Sequence, residues 1–278
     1  MEEYYFLFGL ALVWTVFAVV QDIRTREVSN WLNFSFIAVA LAYRAFYSLG
    51  MGAGKFFVFG LIGFGIFFVL AHAFYYSRIF AGGDAKLLMG YGVILPYTSY
   101  WGLIYLSLGF VFVLFFVGAI YSLLYSVRVI FGNRELFKKE FRKKLKKAGY
   151  LVGLVFLACV LSAFFGRVLF MLALAVLGFV LLFVYLRALD KCMVKLKKPS
   201  ELQEGDWLEE SVKVGRKTIK KSVHGLSLAE IGMLEKVGRR VLIKEGVPFT
   251  PAFLMTLVIM GYAFLFLGVA EGFWVFLF

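Results

Sequence analysis

The chain has 278 residues, of which 62% are hydrophobic and 19% aromatic, and it carries a formal net charge of +13. Soluble domains contain roughly 45 to 50% apolar residues, so this composition excludes an ordinary soluble protein and predicts a polytopic membrane protein. Two isolated cysteines, Cys159 and Cys192, show no CxxC spacing, so neither a disulfide framework nor a zinc site is expected.

The apolar runs predict the membrane spans. A spanning helix needs about 20 mainly apolar residues, and the runs that qualify are, in chain order, 4–20, 31–49, 56–77, 99–127, 150–165, 168–186 and 251–273. The run 85–97 is much shorter, and counting it as a short crossing brings the prediction to about eight transmembrane helices.

The distribution of basic residues supports this count. Lys and Arg concentrate on the cytoplasmic side of membrane proteins. Eight crossings with both termini outside leave Arg44, Lys55 and Arg167 on the outer side and the rest of the 30 basic residues inside. A multi-pass protein of the cell membrane is therefore expected, with its basic loops in the cytoplasm.

A basic segment follows the run 99–127. Residues 134–147 are rich in Lys and Arg, and Phe137, Phe141 and Leu145 recur at intervals of four. This spacing predicts one apolar stripe on a basic helix in the membrane interface. Because the basic residues adjoin membrane segments, anionic lipid headgroups are the predicted partner, and nucleic acid is not.

Residues 190–250 are the largest polar stretch. Ser227 and Glu230 have the spacing of a capping box, a periodic apolar face follows them, and "RVLIKEG" is typical of a strand. This stretch predicts a small cytoplasmic α+β insertion before the last helix. The predicted fold class is thus an all-α polytopic membrane protein with such an insertion.

Two aspartates lie at the edges of predicted spans. Asp22 closes the first run and Asp84 follows the third, and the predicted topology places both on the same membrane face. Ionisable groups at such positions are costly and often functional. Asp84 could also simply cap the helix that follows it, and Asp22 could pair with Arg24 or Arg26.

A pair of converging carboxylates offers acid and base chemistry. Two carboxylates that lie close together cannot both ionise cheaply, so near neutral pH one is the acid and the other the base. Such a pair can deprotonate a water that attacks an amide and protonate the developing oxyanion. We expect Gly82 and Gly83 to admit a peptide backbone and to permit unusual backbone angles, and Lys86 to tune the pair or orient the substrate.

The motifs around both aspartates resemble a known family. "QDIRTREVSN" and, further along, "GGDAKLLMGYG" resemble the GxGD-type membrane aspartic peptidases that process type IV prepilins and archaeal preflagellins. The resemblance implies Asp22 and Asp84 as the catalytic dyad, together with Asn30, Gly83 and Lys86. The segments "EGDWL", "GLSLAEIGML" and "IKEGVPFTPAF" are similar to the C-terminal region of archaeal members.

The chain departs from the family pattern at two positions. Ser29 stands where proline is usual, which implies a less rigid turn before Asn30, and Ala81 occupies the first glycine of GxGD. The cysteine-bearing domain of bacterial bifunctional members is absent, which implies no N-methyltransferase activity. The implied substrate is a pilin- or flagellin-like precursor whose short basic leader is cut at the cytoplasmic face.

Two alternatives use the same chain differently. A transporter or an ion- or proton-conducting protein would place the acids near the bilayer midplane and show an internal repeat, whereas the sequence places them at the membrane edge. A non-enzymatic scaffold would dock through the basic domain. No nucleotide-binding or HExxH motif occurs in the sequence, so no metal or other cofactor is predicted.

The predicted organisation has five parts. They are a membrane core carrying both aspartates at 1–132, a basic interfacial helix at 133–149, a transmembrane hairpin at 150–189, a small cytoplasmic domain at 190–250 and a final transmembrane helix at 251–278.

Overall fold

The computed structural model describes residues 2–215, 217–222 and 224–267. The helices are α1 Glu2–Thr25, α2 Asn30–Met51, α3 Gly54–Tyr76, α4 Gly82–Ile94, α5 Tyr100–Gly132, α6 Arg134–Ser162, α7 Arg167–Cys192, α8 Leu228–Val237 and α9 Thr250–Leu267. The strands are β1 Val194–Lys197, β2 Trp207–Leu208, β3 Val212–Val214, β4 Lys217–Ile219 and β5 Val241–Lys244.

The predicted fold class is confirmed. Within the described ranges, six helices (α1, α2, α3, α5, α6 and α7) are long and apolar enough to cross a membrane, and the strands all lie in the insertion before α9. The predicted total of eight also counts α4, with 13 residues, and α9, with 18 described residues. The end of the predicted last span, from residue 268 on, lies outside the described residues.

The chain divides into two compact units. The first comprises Met1–Ser122 and Val247–Phe278, and the second comprises Leu123–Gly246. The described part of the predicted final helix therefore shares a unit with residues up to Ser122, because α9 packs on α1: the ring of Phe264 lies 5.6 Å from Tyr4 and 5.7 Å from Phe8. Residues 123–132 of the predicted membrane core fall in the second unit.

The short helix α4 is the centre of the first unit. Leu87, Leu88 and Tyr91 are each at most 1% exposed, because α4 packs against both α2 and α3. The contact with α3 brings backbones together: a Cβ added at Gly92 would lie 2.5 Å from the carbonyl oxygen of Gly63. Small residues permit such close helix packing in membranes.

The basic segment is one half of a longer helix in the second unit. The prediction separates a basic helix at 133–149 from a span that begins at residue 150, but α6 runs from Arg134 to Ser162 without a break. A lone glycine such as Gly149 weakens a helix without ending it. Phe137 and Phe141 stack on each other, and Phe137 contacts Tyr185 of α7, so the predicted apolar stripe packs towards α7.

The insertion folds around its own small core. Antiparallel strands form a sheet in the order β1-β5-β2, and β3 and β4 form a separate antiparallel pair. The predicted capping box is confirmed: the Ser227 hydroxyl accepts from the Glu230 amide, and the Glu230 carboxylate accepts from the Ser227 amide at 2.9 Å. The predicted strand in "RVLIKEG" is β5.

Candidate active site

Several helix ends meet at one end of the first unit. The end of α1 contacts the start of α9 through Asp22 and Thr250. The start of α2 contacts the start of α4 through two hydrogen bonds, made by Asn30 and Asn33. Helix starts expose unpaired N–H groups and stabilise nearby negative charge. Carboxylates at this end of the unit are therefore stabilised by the starts of the helices.

Asp22 lies in the last turn of α1 and is only 7% exposed. Its Oδ2 accepts two hydrogen bonds from Thr250, one from the backbone N–H at 3.2 Å and one from the hydroxyl at 2.9 Å. Arg26 also interacts with Asp22 electrostatically. An interaction of Asp22 with Arg24 or Arg26 was one of the alternatives in the sequence analysis. Asp22 is therefore held by two donors at the start of α9 and by a nearby cation.

Asp84 is the third residue of α4 and is partly buried. Its carboxylate lies in the first turn of α4, a favourable position for a negative charge, and it interacts with the backbone of Ala81, the residue that precedes the helix. The same carboxylate interacts electrostatically with Asp22. A place at the start of the helix and an interaction with Asp22 are therefore compatible in one side chain.

Gly82 and Gly83 are the first two residues of α4. The expectation that they adopt unusual backbone angles is wrong, because both are helical and neither has a positive φ. The absence of a side chain matters at Gly83, where a Cβ would lie 3.1 Å from the Cβ of Val28. At Gly82 the nearest atom to such a Cβ is on Tyr75, at an ordinary 3.7 Å.

Lys86 and Asn30 are brought together in the structure. The Lys86 ammonium donates to the Asn30 side-chain oxygen at 2.5 Å, so α4 is tied to the first residue of α2. One turn further along α2, Asn33 donates to the Gly83 carbonyl at 3.3 Å. These two bonds fix the position of the α4 start that carries Asp84.

In the turn between α1 and α2, hydrogen bonds of Ser29 take the place of the proline that is usual at this position. The Ser29 backbone N–H and hydroxyl both donate to the Gln21 side-chain oxygen, at 3.0 and 2.9 Å. The φ of Ser29 is −63°, which is also the value that proline imposes. Hydrogen bonds donated by Ser29 to Gln21 thus hold this turn, where proline would stiffen it covalently.

The comparison with known protein families concerns the part of the chain that carries both aspartates. Residues 9–123 match the type IV leader peptidase family. The likeness to that family covers less than half of the chain. The chain is also similar to the preflagellin peptidase of Methanococcus voltae, with 28% identity over 150 residues that cover 50% of this chain and 62% of the relative. The chain thus spans less than two thirds of that relative's length, and no solved structure matches it.

The family segment contains most of the site. Asp22, Asn30, the two glycines, Asp84 and Lys86 all lie within residues 9–123. Thr250 lies outside that segment, and the sequence analysis missed it. The Thr-Pro pair at 250–251 is typical of a helix start, but nothing local to it points to Asp22.

Asn33 was missed as well, although a signal for it exists. It is a fully buried amide in the span α2, and polar groups within membrane helices need partners. Its Nδ2 has such a partner in Gly83, whereas its Oδ1 has no hydrogen-bond partner within the described part of the chain.

Proposed function

We propose that this chain is a membrane aspartic endopeptidase that removes the short basic leader from archaeal preflagellin or type IV prepilin-like precursors. One observation carries the proposal: within the segment that matches the leader peptidase family, Asp22 lies at the end of α1 and Asp84 at the start of α4, and these two helices pack against each other. The relative named preflagellin peptidase supports the substrate class.

The proposed reaction is hydrolysis of one peptide bond by the pair. One aspartate, as a carboxylate, takes a proton from a water whose oxygen attacks the carbonyl carbon, while the other gives its proton to the carbonyl oxygen. When the C–N bond breaks, the first aspartate gives the acquired proton to the leaving amine, and the second recovers its own from the former carbonyl oxygen. The products are the leader with a new carboxyl end and the mature protein with a new amino end.

The groups around the pair are proposed to position the substrate. Gly82 leaves room beside Asp84, since a Cβ there would meet only Tyr75 at 3.7 Å. Lys86, held by Asn30, can orient a carbonyl or carboxylate of the precursor. Gly83 is proposed to act by close packing against Val28, which lets the start of α4 approach the loop after α1.

We place the active site at the cytoplasmic face of the membrane, with both termini outside. The support is the concentration of basic residues on the loops at that end. A pair that shares one proton keeps one negative charge, which attracts a basic leader. No N-methyltransferase activity is proposed, and incubation of cleaved precursor with labelled S-adenosylmethionine should leave the new amino end unmodified.

The basic half of α6 is proposed to contact anionic headgroups. Lys143, Lys146 and Lys147 are exposed, while the apolar stripe of the same helix packs towards α7. Replacing these three lysines by glutamine should reduce the anionic phospholipid retained by the purified protein in native mass spectrometry. Equal lipid retention in both proteins would contradict this partner.

The function is tested by cleavage of a purified precursor in proteoliposomes. Wild-type protein should release the leader, whereas Asp22→Asn and Asp84→Asn should each abolish release while remaining folded. Asp190→Asn is the matched control, because Asp190 pairs with Lys244 in the second unit and has no proposed part in the reaction. Full activity of either dyad variant would refute the mechanism.

A further inference from the structure

Asp22 and Asp84 have different surroundings, and the difference assigns their roles. We infer that Thr250 is a positioning residue that holds Asp22 as the ionised member of the pair, so that Asp84 carries the proton in the resting enzyme. This inference rests on the proposed function and names the division of labour within the same site.

The hydrogen bonds at Asp22 carry the assignment. Oδ2 receives the Thr250 N–H and the Thr250 hydroxyl, and an N–H can donate but not accept, so a proton on Oδ2 would face a donor. Asp22 also interacts with the backbone of Phe249 through a hydrogen bond, and the positive charge of Arg26 attracts its carboxylate. Bonds and charges of this kind stabilise the ionised form of a carboxyl group.

Within the described residues, Asp84 has fewer such partners. A backbone N–H, that of Ala81, donates to it, and its main electrostatic neighbour is the like charge of Asp22. When two nearby carboxyls share one proton, the proton favours the one whose ion is less stabilised. That carboxyl is Asp84.

The assignment orders the reaction. Asp22 takes the proton of the attacking water through Oδ1, the oxygen that Thr250 leaves free, and Asp84 donates its proton to the carbonyl oxygen. Asp22 then passes the acquired proton to the leaving amine. Asp84 regains its own proton as the C–N bond breaks, so the resting state is restored without any further reactant.

The start of α9 is held rigidly enough for this task. The ring of Phe249 lies 5.4 Å from Phe80 and 5.9 Å from Phe253. It also covers Gly118, where an added Cβ would lie 2.3 Å from the ring. Thr250 is itself fully buried. A positioning group needs such packing to keep a functional side chain in place, and this one comes from outside residues 9–123.

Variants of Thr250 test the inference through kinetics. Thr250→Val keeps the shape and removes the hydroxyl, and we expect kcat to fall about 10- to 100-fold, the effect of losing one hydrogen bond to a charged group. KM should change by less than about twofold, because uniform substrate binding is untouched. Thr250→Ser retains the hydroxyl and should restore kcat to near the wild-type value.

Thr256→Val is the matched control. Thr256 is a buried threonine on the same helix, and within the described residues its hydroxyl has no hydrogen-bond partner, so its loss should leave kcat unchanged. Equal kcat in Thr250→Val and wild type, an equal loss in both valine variants, or a change confined to KM would each overturn the inference.

An infrared measurement decides the proton's location without any activity or any Thr250 variant. At neutral pH the resting wild-type protein should show the carbonyl band of one protonated carboxyl group, and Asp84→Asn should lose it. A wild-type band of full strength in Asp84→Asn, or no band in the wild type, would overturn the assignment. If the wild type cleaves no precursor, the proposed function fails, and this spectrum still tests the assignment.

Discussion

Arg44 donates a hydrogen bond of 2.7 Å to the carbonyl oxygen of Leu95, the residue that follows α4 at the end opposite to Asp84. The same guanidinium donates to the Phe56 carbonyl at 2.6 Å and lies over the Phe56 ring. A fully buried arginine is costly unless its donors are satisfied. Both terminal nitrogens have carbonyl partners, while Nε has none among the described residues. This one closes the carbonyl end of α4, where a positive charge complements the helix dipole.

Arg44→Lys should therefore destabilise the protein. A lysine keeps the charge but cannot reach two carbonyl groups with one planar fork, so we expect the free energy of unfolding to fall by about 1 to 3 kcal/mol. Thermal unfolding in detergent measures the effect. Arg142→Lys, at an exposed position on α6, is the control and should leave the midpoint unchanged; an equal midpoint for both variants would contradict the role of Arg44.

Gly92→Ala should separate α3 from α4. The new Cβ would lie 2.5 Å from the Gly63 carbonyl oxygen and 2.7 Å from the Cβ of Phe67, and a backbone carbonyl in a helix cannot move aside freely. Overpacking of this kind costs about 1 to 3 kcal/mol, which a lower unfolding midpoint would report. Gly65→Ala on α3, with open space around its Cβ, should be neutral or stabilising.

Gly118→Ala should impair the active site from a distance. Its Cβ would lie 2.3 Å from the Phe249 ring, so the ring and the adjacent Thr250 must shift. We expect kcat for precursor cleavage to fall by about tenfold or more, since small misplacements of catalytic groups are costly. Gly65→Ala again serves as the control, and unchanged kcat in Gly118→Ala would show that Phe249 does not position Thr250.

Ser29→Pro should destabilise the turn that Gln21 holds. The φ of −63° suits proline, which alone would stabilise by about 0.4 to 1 kcal/mol. However, the N–H and hydroxyl bonds to Gln21 are lost, at about 0.5 to 1.5 kcal/mol each. In the Gln21→Ala background those bonds are already absent, so the same change should become neutral or stabilising. Equal destabilisation in both backgrounds, measured by thermal unfolding, would contradict this account.

Lys86 and Asn30 should act as one unit in catalysis. Lys86→Met and Asn30→Ala each break the 2.5 Å hydrogen bond between α4 and α2, so each should lower kcat/KM for precursor cleavage. Because the effects of substitutions at contacting residues do not add, the double variant should have a kcat/KM only slightly below that of the less active single variant. Fully additive losses would show that the two side chains work independently.

Much of the fold follows from local patterns in the sequence. Apolar runs near 20 residues predict α1, α2, α3, α5 and α7, because a span must satisfy its own backbone hydrogen bonds within one helix. The capping box at Ser227 is equally local. The continuity of α6 was not predicted, since the change from basic to apolar residues near Gly149 has the appearance of a boundary although the backbone continues.

Some features of the site were likewise predictable from the sequence, and others were not. Hydropathy and charge in the sequence predict that Asp22 and Asp84 stand at the edges of spans and on the same membrane face. The groups that surround each carboxyl became known from the folded structure alone. Thr250 reaches Asp22 across 228 positions of the chain, and that contact depends on the packing of α9 against α1, which no periodicity or motif near either residue encodes.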